Sequence, residues 1–220
     1  MLEPTPGEPH TLSGGGGGGG GRKGLFERVK AILITPKTEW AVIDGEAASI
    51  GGLITGYALI LALIAPLACL LGLFLTPLGG YLTGAMGFLI KLLIAVYIIS
   101  LGTVVLLGFI IDLLASSLGG TKNGVQAMKL AVYAGTPFWL AGILLILGFG
   151  MWYFWMALGI GYGGYLIWLG LPILMRVPAD KVQVYAAAVI GIWVVLFIIL
   201  WQIAWRIIFA SMLYGAVGYM

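Results

Sequence analysis

The chain has 220 residues, 61% of them hydrophobic and 9% charged, with a formal net charge of +3. Soluble domains carry about 25% charged residues, so a water-soluble globular protein is excluded, and so small a net charge is no footprint for nucleic acid. Cys69 and His10 are the only cysteine and histidine; they exclude an intrachain disulfide, a multi-cysteine metal site and an imidazole-built metal site, so no cofactor or metal is expected.

Residues 1–23 are rich in Pro, Glu and Gly and contain the run Gly14–Gly21. Such a run loses too much backbone entropy on ordering to hold a structure, so a disordered tail is expected. It is not a phosphate-cradling loop, because Arg22, Lys23 and Gly24 follow where a Lys-Ser/Thr pair would have to open a helix. No apolar stretch with a small-residue cleavage site precedes residue 48, so the first span is expected to serve as the insertion signal.

Residues 24–48 form a lead-in. Leu25, Phe26, Val29, Ile32 and Leu33 fall on one side of a short helix, with Glu27, Arg28 and Lys30 on the other. Two placements stay open: in the headgroup plane, or packed on the cytoplasmic ends of a bundle. Pro36 stops this helix. A second short helix is expected from Thr38 to about Ile43, with Trp40 at the membrane interface.

Residues 49–208 are expected to hold five transmembrane helices, followed by a short tail at 209–220. A span needs about 20 apolar residues. The first covers about Ser49–Leu75, with Pro66 inside. The second is bracketed by Lys91 and Asp112. The third covers about Leu130–Leu147, with Pro137, and Gly148–Gly150 makes a tight hairpin. The fourth covers about Trp152–Met175, with Pro172 near its end, and the fifth about Val182–Trp205. Leu130–Met175 contains no charged residue at all. Runs such as Leu59–Ala65 and Val194–Trp201 do not alternate apolar with polar residues, which argues against a barrel. The expected class is therefore an all-α membrane protein, a five-span bundle with an amphipathic N-terminal helix.

Nine of the 11 Lys and Arg residues fall on the side of the amino terminus in a five-span topology; only Lys91 and Arg206 fall on the other. The positive-inside rule then predicts a cytoplasmic amino terminus, in a bacterial inner membrane.

Ionisable residues within spans are the default functional candidates. Lys91 and Asp112 lie about 30 Å apart along one helix, which makes them boundary markers that reach headgroups. Arg206 and Gln202, four residues apart on one face, lie beside Trp201 and Trp205; an interfacial Trp-Arg anchor is favoured over a lipid-phosphate or carbonyl contact. The GIGYGGY run, Gly159 to Tyr165, lacks the strand of a dinucleotide fingerprint and the full TVGYG of a potassium filter. Gly159 and Gly163, four apart, read instead as a close-packing face, and Gly52 and Gly56 as a second one. No Ser/His or Cys/His set, paired carboxylates at span depth or HExxH is present, so catalysis is not expected.

RVKAILITPKTEW in the lead-in, Tyr57 and Pro66 in the first span, AVYAGTPFWLAGIL at 131–144 and YLIWLGLPILMRVP at 165–178 together resemble the bacterial branch of the YIP family. Its most specific pieces here are Tyr133, Thr136 and Pro137, then Gly170 and Pro172, followed by Arg176 and Pro178. The resemblance covers about residues 25–205. It implies five helices, a cytoplasmic amino terminus, no enzymatic activity, and a role in membrane organisation or protein interaction. Eukaryotic members associate with Rab-type GTPases. That property is not carried over, because their acidic-aromatic-Gly-Pro motif near the first span is missing. A proline that relatives place late in the third span is also missing; Gly148 and Phe149 stand there.

Two functions remain. One is a non-catalytic scaffold or adaptor whose partners are membrane lipids and other membrane proteins or further copies of the chain. The other is a small transporter or channel with a midplane site at the proline-interrupted helices. A water-accessible cavity at mid-depth lined by Tyr133, Thr136 and Tyr162 would favour the second.

Overall fold

The computed structural model describes residues 23–75 and 86–217. His10, the Gly14–Gly21 run and most of the linker between the first two spans lie outside the described residues. Five helices are long and apolar enough to cross a membrane: Ile50–Leu75, Met86–Ala115, Gly124–Leu147, Tyr153–Leu174 and Val182–Ile208. No strand occurs among the described residues. The fold is an all-α membrane bundle preceded by two short helices, α1 (Leu25–Ile34) and α2 (Pro36–Gly45).

Polar caps start two of the spans. The Ser49 hydroxyl accepts from the Gly52 amide at 3.1 Å, and the Asn123 side chain from the Gln126 amide at 3.1 Å. Each satisfies a donor that the first turn of a helix leaves over. The fifth helix runs on from Val182 to Val217, through most of the segment read as a tail. Pro36 does more than stop α1. It occupies the first turn of α2, where its missing amide costs nothing.

Prolines break two of the spans. In the first, regular helix gives way to a turn at Leu63, one turn before Pro66, whose ring and missing amide disrupt the preceding turn. The same span carries a π-helical turn at Ile54–Ala58 that holds Tyr57. In the third, α-helix ends at Ala134, resumes at Thr136–Ala141 behind Pro137, and tightens to 3₁₀ helix over Gly142–Leu147.

Small residues let these broken helices approach closely, as expected where lipid supplies no hydrophobic drive between helices. A methyl group built on Gly159 would come within 2.7 Å of Phe138 Cα. One on Gly163 would lie 2.6 Å from the Trp193 ring and 2.7 Å from the Ala134 carbonyl. Gly142 meets Ala65 and Gly72 meets the Ile146 carbonyl just as tightly, so the far half of the first span leans on the third. Gly56 differs. Nothing lies within 4 Å of where its Cβ would be, and with Gly52 it lines a small cavity instead of a helix contact.

The lead-in corrects two expectations. Val29 and Ile32 are buried and Glu27 and Lys30 exposed, as the amphipathic pattern has it, but Arg28 is 3% exposed and Phe26 77% exposed, each on the side opposite to the one expected. Trp40, expected at the membrane interface, has no exposed surface; its ring lies against Gly170 and edge-on to Tyr133 at 6.5 Å. The physical reason is the same in both cases. The lead-in docks through charge pairing as well as apolar burial, and the face that bears Arg28 and Glu39 beside Val29, Ile32, Trp40 and Ile43 is the one that finds partners.

Candidate functional site

The bundle end that faces the lead-in, the near end, carries a buried polar clasp. Arg28 is ion-paired to both Glu39 and Glu46, and Lys23 reaches Glu39 at 2.6 Å. The Arg28 guanidinium also lies 5.6 Å from the centre of the Tyr133 ring, within cation–π range. In surroundings this apolar a charged group survives only when its partners are in place. Here α1 supplies the cation and α2 with its following loop supplies the anions.

Two further contacts fix α2 to the third and fourth spans. Lys129, 2% exposed, donates to the carbonyls of Ile43 at 2.8 Å and Glu46 at 2.6 Å. It thereby places a positive charge on acceptors that the end of α2 leaves unpaired. Asp44 accepts from the Gln126 amide nitrogen at 3.0 Å and pairs with Arg176 at 2.7 Å. Arg176 is the one non-glycine residue with positive φ among the described residues, at 54°. This left-handed position at a helix end usually goes to glycine. Arg176 holds it while donating to both the Ile173 carbonyl and Asp44.

Beneath the clasp, the interruptions of the first and third spans meet. The hydroxyls of Tyr57 and Thr136 are 2.8 Å apart, and the Tyr57 and Tyr133 rings stand edge to face at 4.9 Å. Thr136 has no exposed surface. Trp155 donates from its indole to the Phe138 carbonyl at 2.7 Å. A cavity of about 170 Å³ separates this layer from the clasp, lined by Lys23, Arg28, Glu46, Gly52, Gly56, Tyr57 and Tyr133.

The sequence-derived candidates divide. Tyr133, Thr136 and Pro137 come together with Tyr57, and Gly170 seats Trp40. Pro172 is exposed. Tyr162 does not join a shared cavity with Tyr133 and Thr136; its hydroxyl donates at 2.6 Å to the Leu33 carbonyl at the end of α1. Lys91, Gln202 and Arg206 are exposed at the opposite, far end of the bundle. Asp112 is half-buried at the near end, where its neighbour Ile111 accepts from the Tyr185 hydroxyl.

Sequence reasoning passed over Arg28, Glu39, Asp44, Glu46, Gln126, Lys129 and Arg176 as a site. It counted the basic ones as topology markers, with Arg28 on a helix's polar face and Arg176 beside the Gly170 and Pro172 motif. The available signal was acidic: Glu39, Asp44 and Glu46 crowd into the few residues before the first span, among basic neighbours, which is the pattern of internal pairing.

These features define an α-helical, multi-pass integral membrane protein whose lead-in is built into its bundle. The family model described as Yip1 domain matches residues 30–217, from within α1 to the end of the last helix, and the chain belongs to that family. No curated protein and no solved structure matches the chain.

Proposed function

We propose that this Yip1-family protein is a non-catalytic scaffold or adaptor in a bacterial inner membrane, with its amino terminus and clasp on the cytoplasmic side. The observation that carries the reading is the use made of the polar groups at the broken centres of the first and third spans. Tyr57 and Thr136 hydrogen-bond each other and Thr136 is wholly enclosed. Broken helices that serve a transport path present such groups to a water-lined site; these are spent on holding two spans together. The clasp likewise commits Arg28, Lys129 and Arg176 to internal partners. What the lead-in offers outward is Phe26 and Ile34, 77% and 67% exposed, with Lys30 and Lys37 nearby. That mixture suits a membrane surface or a partner protein. The bias of nine basic residues to two supports the orientation.

Reconstituted into vesicles, the protein should leave proton and potassium leak at the level of protein-free vesicles. A flux that depends on the protein and is lost in Thr136→Val would overturn the scaffold reading in favour of the channel. Reporter fusions at the two ends should report opposite sides of the membrane; both on one side would overturn the topology.

A further inference from the structure

The contacts of the lead-in with the fourth span descend in step. Asp44, near the end of α2, pairs with Arg176 just past the near end of that span. Trp40 lies against Gly170, about one turn further in. The Leu33 carbonyl, at the end of α1, receives the Tyr162 hydroxyl at 2.6 Å. At 1.5 Å per residue, Tyr162 stands about 18 Å along the span from Leu174. On the third span, Pro137 stands about 20 Å from Gly124. It lines a shallow groove of about 350 Å³ with Leu33, Leu140, Leu158 and Tyr162. Ion pairs of Glu39 with Lys23 and Arg28 hold α2 folded back on α1, so the two make a hairpin with its tip at residues 33–36. The hydrocarbon of a bilayer is about 30 Å thick. After the reach of the tyrosine side chain is subtracted, the tip lies on the order of 10 Å inside the near boundary.

The tip is built as a turn without water has to be. In hydrocarbon the protein itself must supply partners for backbone polar groups. The Thr35 amide and hydroxyl both donate to the Ala31 carbonyl, at 2.9 and 3.2 Å. The Thr35 carbonyl accepts from the Glu39 amide at 3.0 Å and from the Thr38 hydroxyl at 3.1 Å. Tyr162 takes the Leu33 carbonyl, and Pro36 has no amide to leave over. Thr35 and Thr38 are exposed, yet both hydroxyls turn back onto the chain. The large side chains turned outward at this level are apolar: Ile34 is 67% and Leu158 56% exposed. Lys30 and Lys37 flank Ile34 by about one turn, and lysine stems can carry their ammonium groups up to the headgroups. Glu27 stands beside Lys30, so no preference for anionic headgroups is implied.

We propose that the α1–α2 hairpin is half-inserted in the leaflet at the near end, with its tip among acyl chains and the outer face of α1, from Phe26 to Ile34, covered by lipid of that leaflet. Of the two occupants that suit this face, depth and continuity with the surface of the fourth span favour lipid over a partner protein. The inference does not rest on the scaffold reading, since a channel with the same lead-in would carry the same hairpin.

Cys69 is the only cysteine, so Cys69→Ala gives a background in which single cysteines carry a nitroxide spin label. The full chain is placed in phosphatidylcholine vesicles, and collision of each label with oxygen, which enters hydrocarbon, is compared with collision with a water-soluble nickel chelate. Leu158→Cys and Lys122→Cys give the lipid and water references. The label at Ile34→Cys should behave as the Leu158 label does, meeting oxygen and not nickel. It should lie deeper than the label at Phe26→Cys by about 5–10 Å, given the length of α1 between them. Lys37→Cys reports on the same tip should the Ile34 label disturb it. A tip label open to nickel would place the hairpin in water. One closed to both reagents would mean that protein covers it, and equal depth at Ile34 and Phe26 would lay α1 flat in the headgroup plane. Each of these three results would overturn the proposal.

Discussion

Arg28 and Arg206 stand at opposite ends of one bundle and meet opposite surroundings. Arg28 is enclosed between two helices and shared by two carboxylates and an aromatic ring. Arg206 is exposed beside tryptophan, with no acidic residue in its half of the fifth helix. The same side chain therefore does structural work at the near end and is turned outward at the far end. Charge count alone, which drives topology prediction, cannot separate these roles. What separates them is whether acidic residues stand nearby in the fold.

The strongest way to break the comparison is to remove the shared anion. Glu39→Ala leaves Arg28 and Lys23 without it, and losing one member of a buried pair costs about 3–5 kcal/mol. Thermal unfolding in detergent should show a large drop. Replacing both members, Arg28→Met with Glu39→Leu, should recover much of the loss, because an apolar pair of similar volume is often as stable. No recovery would mean that the pairs of Glu46 with Arg28 and of Lys23 with Glu39 carry much of the clasp's stability.

Helix packing gives the next largest effect. Gly163→Leu and Gly159→Leu should each cost about 1–3 kcal/mol from overpacking. Gly56→Ala should instead be neutral or gain up to about 1 kcal/mol, since nothing crowds the new methyl and the unfolded chain loses freedom. If all three behaved alike in the same unfolding assay, the contrast between the packed and the open glycine face would be wrong.

Two smaller effects sharpen the picture. Tyr57→Phe should cost about 0.6 kcal/mol, the usual worth of a hydrogen bond between membrane helices. Thr136→Val added to it should cost little more, because the two hydroxyls share one bond; additive losses would point to separate partners. Arg206→Lys should shift stability by less than about 0.5 kcal/mol, as for exposed positions generally, since lysine also snorkels. A large loss there would mean that the guanidinium is structural at both ends.

The five spans were legible because nothing but lipid explains apolar runs such as Leu130–Met175. The Gly159–Gly163 contact was legible from its spacing of four. The Tyr57, Tyr133 and Thr136 cluster was half legible: the residues stood out through the family resemblance, but their meeting depends on the π turn and the Pro137 break, which no periodicity announces. The clasp was not legible. Helical periodicity placed Arg28 on the polar face and Trp40 at an interface because it assumes that apolar surface drives docking. In the lead-in that rule holds for Val29, Ile32 and Ile43, but ion pairs with Glu39 and Glu46 draw Arg28 in beside them. Lys129 was read only as a topology marker, and its buried contacts were missed. A lysine at a span boundary looks like a marker until the carbonyls of Ile43 and Glu46, more than 80 positions earlier, come within reach of it.

That separation sets a timetable for biogenesis. Asp44 lies 132 positions from Arg176, and Leu33 lies 129 from Tyr162. At about 5–20 residues per second of synthesis, Asp44 is made roughly 7–26 s before its partner Arg176. For most of that interval the lead-in has its charges but no third span to receive them, and until its end it lacks the complete fourth span. The first part of the clasp to be translated is thus among the last to reach its final surroundings, and the newborn chain waits at the membrane with Arg28 and Glu39 still wet.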